Sequence, residues 1–289
     1  MKILLAQPAQ LRFDWELEVI LTNLKQFVNP DDVILLFSKH DDEIPQRMAN
    51  KYGVHAFVYQ DLRETKQYIP SIRPYLLWRF LSADPAREQE TYFYIDADVI
   101  FREWPDFATL GLAPNKVVGS DCSGYIDYDY IAGCDRGPEI AQQMATLCGI
   151  SVDQMKGVPG IGAHIVLNQP KAAFWYRAYN DSNRIYRYFQ GVESNIQKWT
   201  AEMWAQQWGW IRDGYTLEAP HELDFCRPTD KIAEWDKVKI MHNAGVTASG
   251  DMFFKGIYDK HKPFGEDFGY VDRGKVSIKY VEAIQKVVV

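Results

Sequence analysis

YFYIDADVIF, residues 92–101, sets two carboxylates into an otherwise apolar run. The neighbours of Asp96 and Asp98 are aromatic or aliphatic, as in a strand that is buried on both faces. We interpret residues 91–101 as the fourth strand of a sheet, with the two acids at its carboxyl end. Turn formation alone can place an aspartate where a strand ends. Two acids after so apolar a strand favour a bound ligand instead.

The residues before this stretch alternate between strand and helix patterns. Continuous apolar runs predict buried strands, and apolar residues at helical spacing predict helices. The predicted strands are 2–6, 32–38 and 54–59, and the predicted helices are 15–28, 44–53 and 73–83. This order predicts an α/β fold with a doubly wound, Rossmann-like, mostly parallel sheet flanked by helices. Such sheets bind ligands at the carboxyl ends of their strands, where Asp96 and Asp98 are expected.

The two acids have the chemistry of a metal site. Side chains two residues apart point to the same side of an extended segment, and the small Ala97 keeps the space between Asp96 and Asp98 small. Carboxylate oxygens suit Mn²⁺ or Mg²⁺, above all when the metal also contacts phosphate. Because the charge of Asp98 would face a ligand, we expect Asp98→Asn to abolish turnover and to change stability by about 1 kcal/mol or less.

Beyond residue 101 the pattern changes without a domain boundary. The predicted strands are 116–126 and 162–168, and the predicted helices are 138–149, 170–191 and 199–214. The sequence contains no internal repeat, low-complexity stretch or obvious linker. We therefore predict a single domain over residues 1–289.

The composition of the 289 residues disfavours several classes of protein. Hydrophobic residues make up 47%, enough for a sizeable core without disulfides. The net charge of −7 argues against a protein that coats nucleic acid, which needs clustered Lys and Arg. The four cysteines are widely spaced, which argues against a zinc site and favours a reducing compartment. The apolar N-terminal run is too short for a signal or a membrane span, so we expect a cytoplasmic protein with no transmembrane segment.

The segment YIDADVIF resembles the D-x-D segment of nucleotide-sugar-dependent glycosyltransferases of the GT-A fold. In that family the two acids hold a divalent metal on the diphosphate of the donor, which for this chain implies Asp96 and Asp98. The resemblance also implies a nucleotide-sugar donor, with a UDP-sugar expected. It divides the chain into a nucleotide-binding half at 1–101, an acceptor half at 102–265 and a C-terminal tail at 266–289.

A second motif follows in the family's order. The segment MHNAG, residues 241–245, has the form H-x-x-G after a short β-type run. The resemblance implies that His242 is the third metal ligand and that Gly245 contacts the diphosphate.

The segment KPF, residues 262–264, is similar to the K-P-W that accompanies H-x-x-G in glycogenin-like retaining enzymes. The resemblance implies that Lys262 contacts the diphosphate and that transfer retains the anomeric configuration. The spacing from the histidine is longer than in glycogenin-like chains, and Phe264 replaces Trp. Lys255 in FFKG therefore competes with Lys262 for this role.

Further residues complete the expected donor site. Arg73 opens a helix, where a cation opposes the helix dipole unless an anion lies nearby. GT-A folds often place a basic residue there against the donor, and a surface salt bridge is the alternative. Gln7 and Pro8 end the first strand, in a loop that contacts the nucleoside in this fold. Gly162, in GVPGIGAHIVL, allows the backbone close to a sugar, and Ala97 lies between the two acids.

Glu202 is the predicted catalytic residue. Its segment WTAEMWA resembles an acidic segment near the acceptor site of this fold, including hydroxyproline arabinosyltransferase-like sequences. Trp204 and Trp208 share one helix face. A carboxylate buried among such rings would have a raised pKa, which suits proton transfer. A solvated helix face is the alternative.

These observations predict metal-dependent transfer of a hexosyl or pentosyl group from a nucleotide sugar to an acceptor hydroxyl. The acceptor stays open among a saccharide, a protein side chain and a hydroxylated DNA base. One alternative function is a sugar-nucleotide nucleotidyltransferase, which is disfavoured because QPAQLRFDW lacks the glycine-rich loop of such enzymes. The other is a catalytically inactive module that binds sugar nucleotides.

Overall fold

The computed structural model describes residues 1–245 and 250–288. They form two compact units, each assembled from separate stretches of the chain. The first unit comprises residues 1–2, 59–94 and 111–221, and the second comprises residues 3–58, 95–110 and the described chain from residue 222 onward. The single domain expected over the whole chain stays a prediction.

The strands and helices of the described residues follow the predicted alternation. The strands are β1 (Lys2–Pro8), β2 (Val33–Ser38), β3 (His55–Tyr59), β4 (Thr91–Tyr94), β5 (Val99–Phe101), β6 (Lys116–Asp121), β7 (Ile161–Asn168), β8 (Thr216–Glu218), β9 (Phe225–Cys226) and β10 (Ile240–His242). The helices are α1 (Leu11–Leu24), α2 (Glu43–Tyr52), α3 (Ile72–Ala83), α4 (Tyr128–Gly133), α5 (Gly137–Cys148), α6 (Val152–Met155), α7 (Ala172–Gln190), α8 (Ala201–Arg212) and α9 (Ser277–Ile284).

The second unit contains two groups of strands. One has the order β3-β2-β1, with β1 and β2 parallel and in register from Ile3 opposite Val33 to Pro8 opposite Ser38. All six residues of β2 are buried, as expected for a strand that is covered on both faces. The other is a three-stranded sheet with the order β5-β10-β9, in which β10 is antiparallel to β5 and parallel to β9.

The core of the second unit forms around Trp15 of α1. Its indole Nε1 donates to the carbonyl of Tyr258 at 3.0 Å, and its ring meets Phe253 edge to face. Ile100 of β5 and Met241 of β10 belong to the same buried cluster. This cluster therefore fixes the three-stranded sheet beside α1.

The first unit contains strands in the order β4-β7-β6-β8. β7 runs antiparallel to both β4 and β6, whereas β6 and β8 are parallel. On α7 and α8, Phe174 and Trp210 stack with 5.4 Å between ring centroids. Trp204 and Trp208 of α8 are fully buried, which agrees with their predicted shared face.

The predicted α/β fold class is confirmed, because strands and helices alternate along the described chain and parallel strand pairs, β1 with β2 and β6 with β8, are present. The prediction of one continuous strand through residues 91–101 is wrong. β4 ends at Tyr94, the chain turns at Ala97 and Asp98, and β5 begins at Val99. β4 pairs with β7 while β5 pairs with β10, so the two acids lie in a break where the chain changes sheets.

The described residues, which omit 246–249 and 289, include no helix that is long and apolar enough to cross a membrane.

Candidate functional site

The turn between β4 and β5 and the end of β10 bring together three residues of types that bind metals, Asp96, Asp98 and His242. In the antiparallel pair of β5 and β10, His242 lies opposite Val99, the residue directly after Asp98. The backbone N–H of Asn243 then donates to the carbonyl of Asp98 at 2.8 Å. Strand pairing therefore fixes the histidine beside the turn that carries the acids.

The side chains of this cluster converge closely. His242 Nε2 lies 3.1 Å from Asp98 Oδ1 and 3.7 Å from Asp96 Oδ2. One ligand atom from each of the three residues lies within 4.8 Å of the other two. Asp98 and His242 are buried, whereas the Asp96 side chain is 34% exposed. Two carboxylates and an imidazole suit Mn²⁺ or Mg²⁺, so the donor set fits a divalent cation.

Lys255 lies against the second oxygen of Asp98. Its ammonium donates to Asp98 Oδ2, and both residues are buried. Burial by itself would raise the pKa of Asp98, but the charge of Lys255 and the contact with His242 outweigh it and hold that pKa far below its usual range. Asp98 is therefore ionised at physiological pH.

A partly buried ion pair on α1 interacts electrostatically with this cluster, and the sequence interpretation missed it. Arg12 Nε donates to Glu16 Oε1 at 3.1 Å, and Glu16 is 1% exposed. Burial raises the pKa of Glu16 to about 7; the charge of Asp98 adds to this rise, and the charges of Lys255 and Arg12 reduce it. The sequence does not show that Glu16 is buried, because most glutamates in helices are exposed to solvent.

Lys262 and Gly245 have different surroundings. The Lys262 ammonium lies 2.7 Å from Asp14 Oδ2 and 3.3 Å from Glu18 Oε1, both on α1. Of the two lysines that competed for the phosphate role, Lys255 is therefore the one that pairs with Asp98. Gly245 has φ +94°, a conformation that favours glycine, and a Cβ added there would meet no described atom within 4 Å.

Gln7 and Pro8 are the last residues of β1, and both are buried. Gln7 Nε2 donates to the carbonyl of Leu36 on the neighbouring strand at 3.1 Å. This bond fixes the side chain at the carboxyl end of the parallel pair β1–β2, where α/β sheets bind ligands. The predicted contact with a nucleoside stays a prediction.

Neither a protein-family model nor a curated protein matches the sequence, whereas solved structures do match. An active-site mutant of LgtC has a TM-score of 0.54 and 11% identity, covering 100% of this chain and 97% of that chain. The WbbM bifunctional glycosyltransferase has a TM-score of 0.51 and 13% identity, covering 99% and 50%. The glycosyltransferase GlyE of Streptococcus pneumoniae TIGR4 has a TM-score of 0.51 and 11% identity, covering 98% and 60%. The chain has the GT-A fold.

The likeness is one of fold, since the identities are 11–13%. The chain spans about half the length of WbbM and 60% of GlyE, but nearly all of LgtC. The resemblance to the GT-A fold predicted from D-x-D and H-x-x-G is thereby confirmed.

Within the first unit of this GT-A chain, Arg73 and Glu202 form a buried ion pair. Arg73 Nε donates to Glu202 Oε1, and Nη2 donates to Oε2 at 2.7 Å. The Gln206 amide also donates to Oε1, and the Glu202 N–H donates to the Tyr68 hydroxyl at 2.7 Å. The Arg73 guanidinium lies 5.0 Å from the ring centre of Tyr94. Glu202 is thus buried and rigidly held, and the solvated helix face is excluded.

Gly162 lies on β7 in the first unit. A Cβ at this position would come within 2.1 Å of the Met203 methyl group, so the glycine allows α8 to pack closely. The Met203 methyl group ends a flexible side chain that can move aside, so packing does not by itself require this glycine, and its predicted contact with a sugar stays a prediction.

Of the residues predicted for the GT-A donor site, the structure brings together Asp96, Asp98, His242 and Lys255. Ala97, in the turn between the acids, is buried. These four side chains and their turn are the geometric basis for a proposal about function.

Proposed function

We propose that this chain is a metal-dependent glycosyltransferase that moves a sugar from a UDP-sugar donor to an acceptor hydroxyl. The observation that supports this most is the cluster of Asp96, Asp98 and His242 in a chain of the GT-A fold. WbbM and GlyE, which share the fold, are glycosyltransferases. A sugar nucleotide carries a diphosphate, which suits a site built from a divalent cation and a lysine.

Asp96, Asp98 and His242 would hold Mn²⁺ or Mg²⁺. When bound, the metal supplies Lewis-acid stabilisation of the charge that develops on the leaving nucleotide. Asp98 is already ionised at physiological pH, so a cation can bind there without displacing a proton from this acid. Lys255 is a compact cation with rotatable donors, which suits binding to a phosphate oxygen.

The remaining donor contacts follow from position. Gln7 and Pro8 end β1 and would contact the nucleoside, and Gly245 would bring its backbone N–H to the diphosphate. Lys255 lies on Asp98, one of the proposed metal ligands, whereas Lys262 lies on two acids of α1 that are not among them. We therefore favour Lys255 over Lys262 for that contact.

For Glu202, the ion pair with Arg73 favours a positioning role over proton transfer. A guanidinium bound through two hydrogen bonds stabilises the ionised carboxylate and weakens it as a proton acceptor. We propose that Glu202 orients the acceptor and that Arg73 orients Glu202. In a retaining reaction the leaving phosphate can take the acceptor proton, and no general base is then required of Glu202.

The finer parts of the proposal rest on the sequence motifs. H-x-x-G followed by K-P-F supports retention of configuration. The transferred group is a hexosyl or pentosyl unit, and the acceptor is a saccharide, a protein side chain or a hydroxylated DNA base. We propose that the chain acts as one domain in the cytoplasm.

The test is a screen of nucleotide sugars for slow hydrolysis, since a donor site of this kind can transfer sugar to water. Purified protein is incubated with each UDP- and GDP-sugar in Mn²⁺, in Mg²⁺ and in EDTA, and the released nucleotide is measured. We expect release from a UDP-sugar in metal only, with Asp98→Asn inactive. Equal release in EDTA would exclude the metal, and the absence of release together with tight UDP binding would favour the inactive binding module.

A further inference from the structure

The ammonium of Lys255 supplies positive charge beside Asp98, as a bound metal ion would. Its ammonium donates to Asp98 Oδ2 while His242 lies on Asp98 Oδ1. Lys255 is 7% exposed and Asp98 is 6% exposed, so water screens their attraction only weakly. One of the two carboxylate charges in the cluster is therefore already neutralised by the protein itself.

A lysine in this position opposes metal binding. The attraction of Asp96 and Asp98 for a divalent cation is reduced by the positive charge of Lys255, and two cations on one buried carboxylate repel each other. The cost is largest where the pair is shielded from water, as it is here. A site with this lysine on Asp98 should bind a metal ion more weakly than the same acids alone.

The ammonium of Lys255 can also bind an anion other than Asp98. Its four-carbon side chain ends in a point charge that is not fixed by a two-pronged fork, so it can exchange one oxygen partner for another. A diphosphate brings negative oxygens next to the cluster, and the carboxylate of Glu16 is close enough to interact electrostatically with Lys255. A donor phosphate can thus draw the ammonium from Asp98 Oδ2 and leave that oxygen for the metal.

We propose that Lys255 is an internal counter-ion that keeps the metal affinity low until the diphosphate draws it from Asp98, so that metal and nucleotide bind cooperatively. This inference rests on the proposed function, because it takes the ligand of the site to be a nucleoside diphosphate. Binding coupling is reciprocal, so the metal must raise the nucleotide affinity by the same factor by which the nucleotide raises the metal affinity.

The experiment measures Mn²⁺ affinity by electron paramagnetic resonance of free Mn²⁺, with and without saturating UDP. Lys255→Met removes the charge and keeps most of the volume, and Lys255→Gln keeps a hydrogen-bond donor for Asp98 in case the methionine variant does not fold. Lys275→Met is the matched control, since its ammonium lies 2.6 Å from Asp251 in the same unit and not on Asp98. Asp98→Asn reports on the metal site itself.

We expect UDP to tighten Mn²⁺ binding to the wild-type chain on the order of 10-fold or more. In the nucleotide-free protein, Lys255→Met and Lys255→Gln should bind Mn²⁺ about 10-fold more tightly than the wild type, and UDP should then add less. Lys275→Met should behave as the wild type does.

Two results overturn the inference and are distinguishable. Unchanged or weaker Mn²⁺ binding in both Lys255 variants, with binding lost in Asp98→Asn, would show that the metal site exists but that Lys255 does not compete for it. Absence of Mn²⁺ binding in every protein, with and without UDP, would overturn the metal site of the proposed function and this inference with it.

Discussion

Two buried ion pairs of this chain differ in the cation that they use. In the first unit, the guanidinium of Arg73 binds both oxygens of Glu202 in a fixed fork. In the second, Lys255 binds one oxygen of Asp98, and His242 contacts the other. Arginine in a fork gives a saturated, oriented pair, whereas lysine gives a pair whose partner can be exchanged. Burial alone therefore does not distinguish a fixed ion pair from one whose partner can be exchanged; the geometry of the cation does.

Among the substitutions that test the difference between these two ion pairs, Asp98→Asn should have the largest effect. It removes a proposed metal ligand, so sugar-nucleotide hydrolysis should fall on the order of 10² to 10³-fold. The expected loss of stability is larger than the loss of about 1 kcal/mol or less predicted from the sequence. Asp98 is buried, and its replacement leaves the charge of Lys255 without its partner. We expect a loss of about 3 kcal/mol in urea unfolding without metal. Unfolding that matches the wild type would show that Lys255 finds another anion.

The second test addresses the ion pair of Arg73 and Glu202. Arg73→Met leaves the Glu202 charge buried and should cost about 3 to 5 kcal/mol of stability. The double variant Arg73→Met, Glu202→Met should cost less than the sum of the two single variants, because neither charge is left behind. Urea unfolding of all four proteins gives the coupling energy. Additive losses would mean that the fork contributes no mutual stabilisation.

The third test uses Glu16, near the exchangeable pair. Its pKa is raised from 4.5 to about 7, so the folded chain keeps a proton that the unfolded chain releases between these values. Stability should therefore fall as pH rises from 4.5 to 7, by up to about 3 kcal/mol from this group. Glu16→Gln should remove that slope in urea unfolding with EDTA at pH 5, 6, 7 and 8.

The control for the pH test is Glu18→Gln on the same helix. Burial works against the shift, but Lys51 and Lys262 hold the pKa of Glu18 below its usual value. The stability from Glu18 is present above the unfolded value and is lost only as pH falls below it. Glu18→Gln should therefore leave the slope between pH 5 and 7 unchanged, and the same slope in all three proteins would show that Glu16 ionises normally.

The smallest effect is expected at Gly245, which ends the H-x-x-G motif of the exchangeable site. Its φ of +94° is unfavourable for alanine, although the described atoms leave room for a methyl group. Gly245→Ala should cost about 1 to 2 kcal/mol by thermal unfolding, from backbone strain alone. Gly133→Ala is a control, because Gly133 has equal room for a methyl group and no positive φ. Equal stability of the two variants would remove the conformational reason for this glycine.

The parts of the site that the sequence predicts are those with rare chemistry. Two aspartates in an apolar run and a histidine before a glycine are conspicuous, and the structure brings Asp96, Asp98 and His242 together. Strand pairing decided the rest. The residues on both sides of Asp96 and Asp98 favour strand, so their own propensity could not show that β4 and β5 join different sheets.

Charge partners were also beyond the sequence. Lys255 and Lys262 both follow the H-x-x-G motif, and nothing in their neighbours ranks them; the fold places one on Asp98 and the other on acids of α1. Similarly, α1 begins at Leu11 and not at residue 15. Residues 14–21 of this helix are all buried, so the spacing of apolar residues alone could not show where it begins. Glu16 lies on this helix and could not be distinguished from an ordinary solvent-facing glutamate.

The antiparallel pairing of β5 with β10 has a consequence for the order of folding. Asp98 and His242 are 144 residues apart in the chain, and the three-stranded sheet that holds them closes only when β10 is in place. Contacts of such long sequence separation form late and slow the folding of a domain. Most of the chain must therefore be synthesised before the cluster can form. A nascent fragment that ends before Ile240 lacks His242 and cannot bind a metal through Asp96, Asp98 and His242 together.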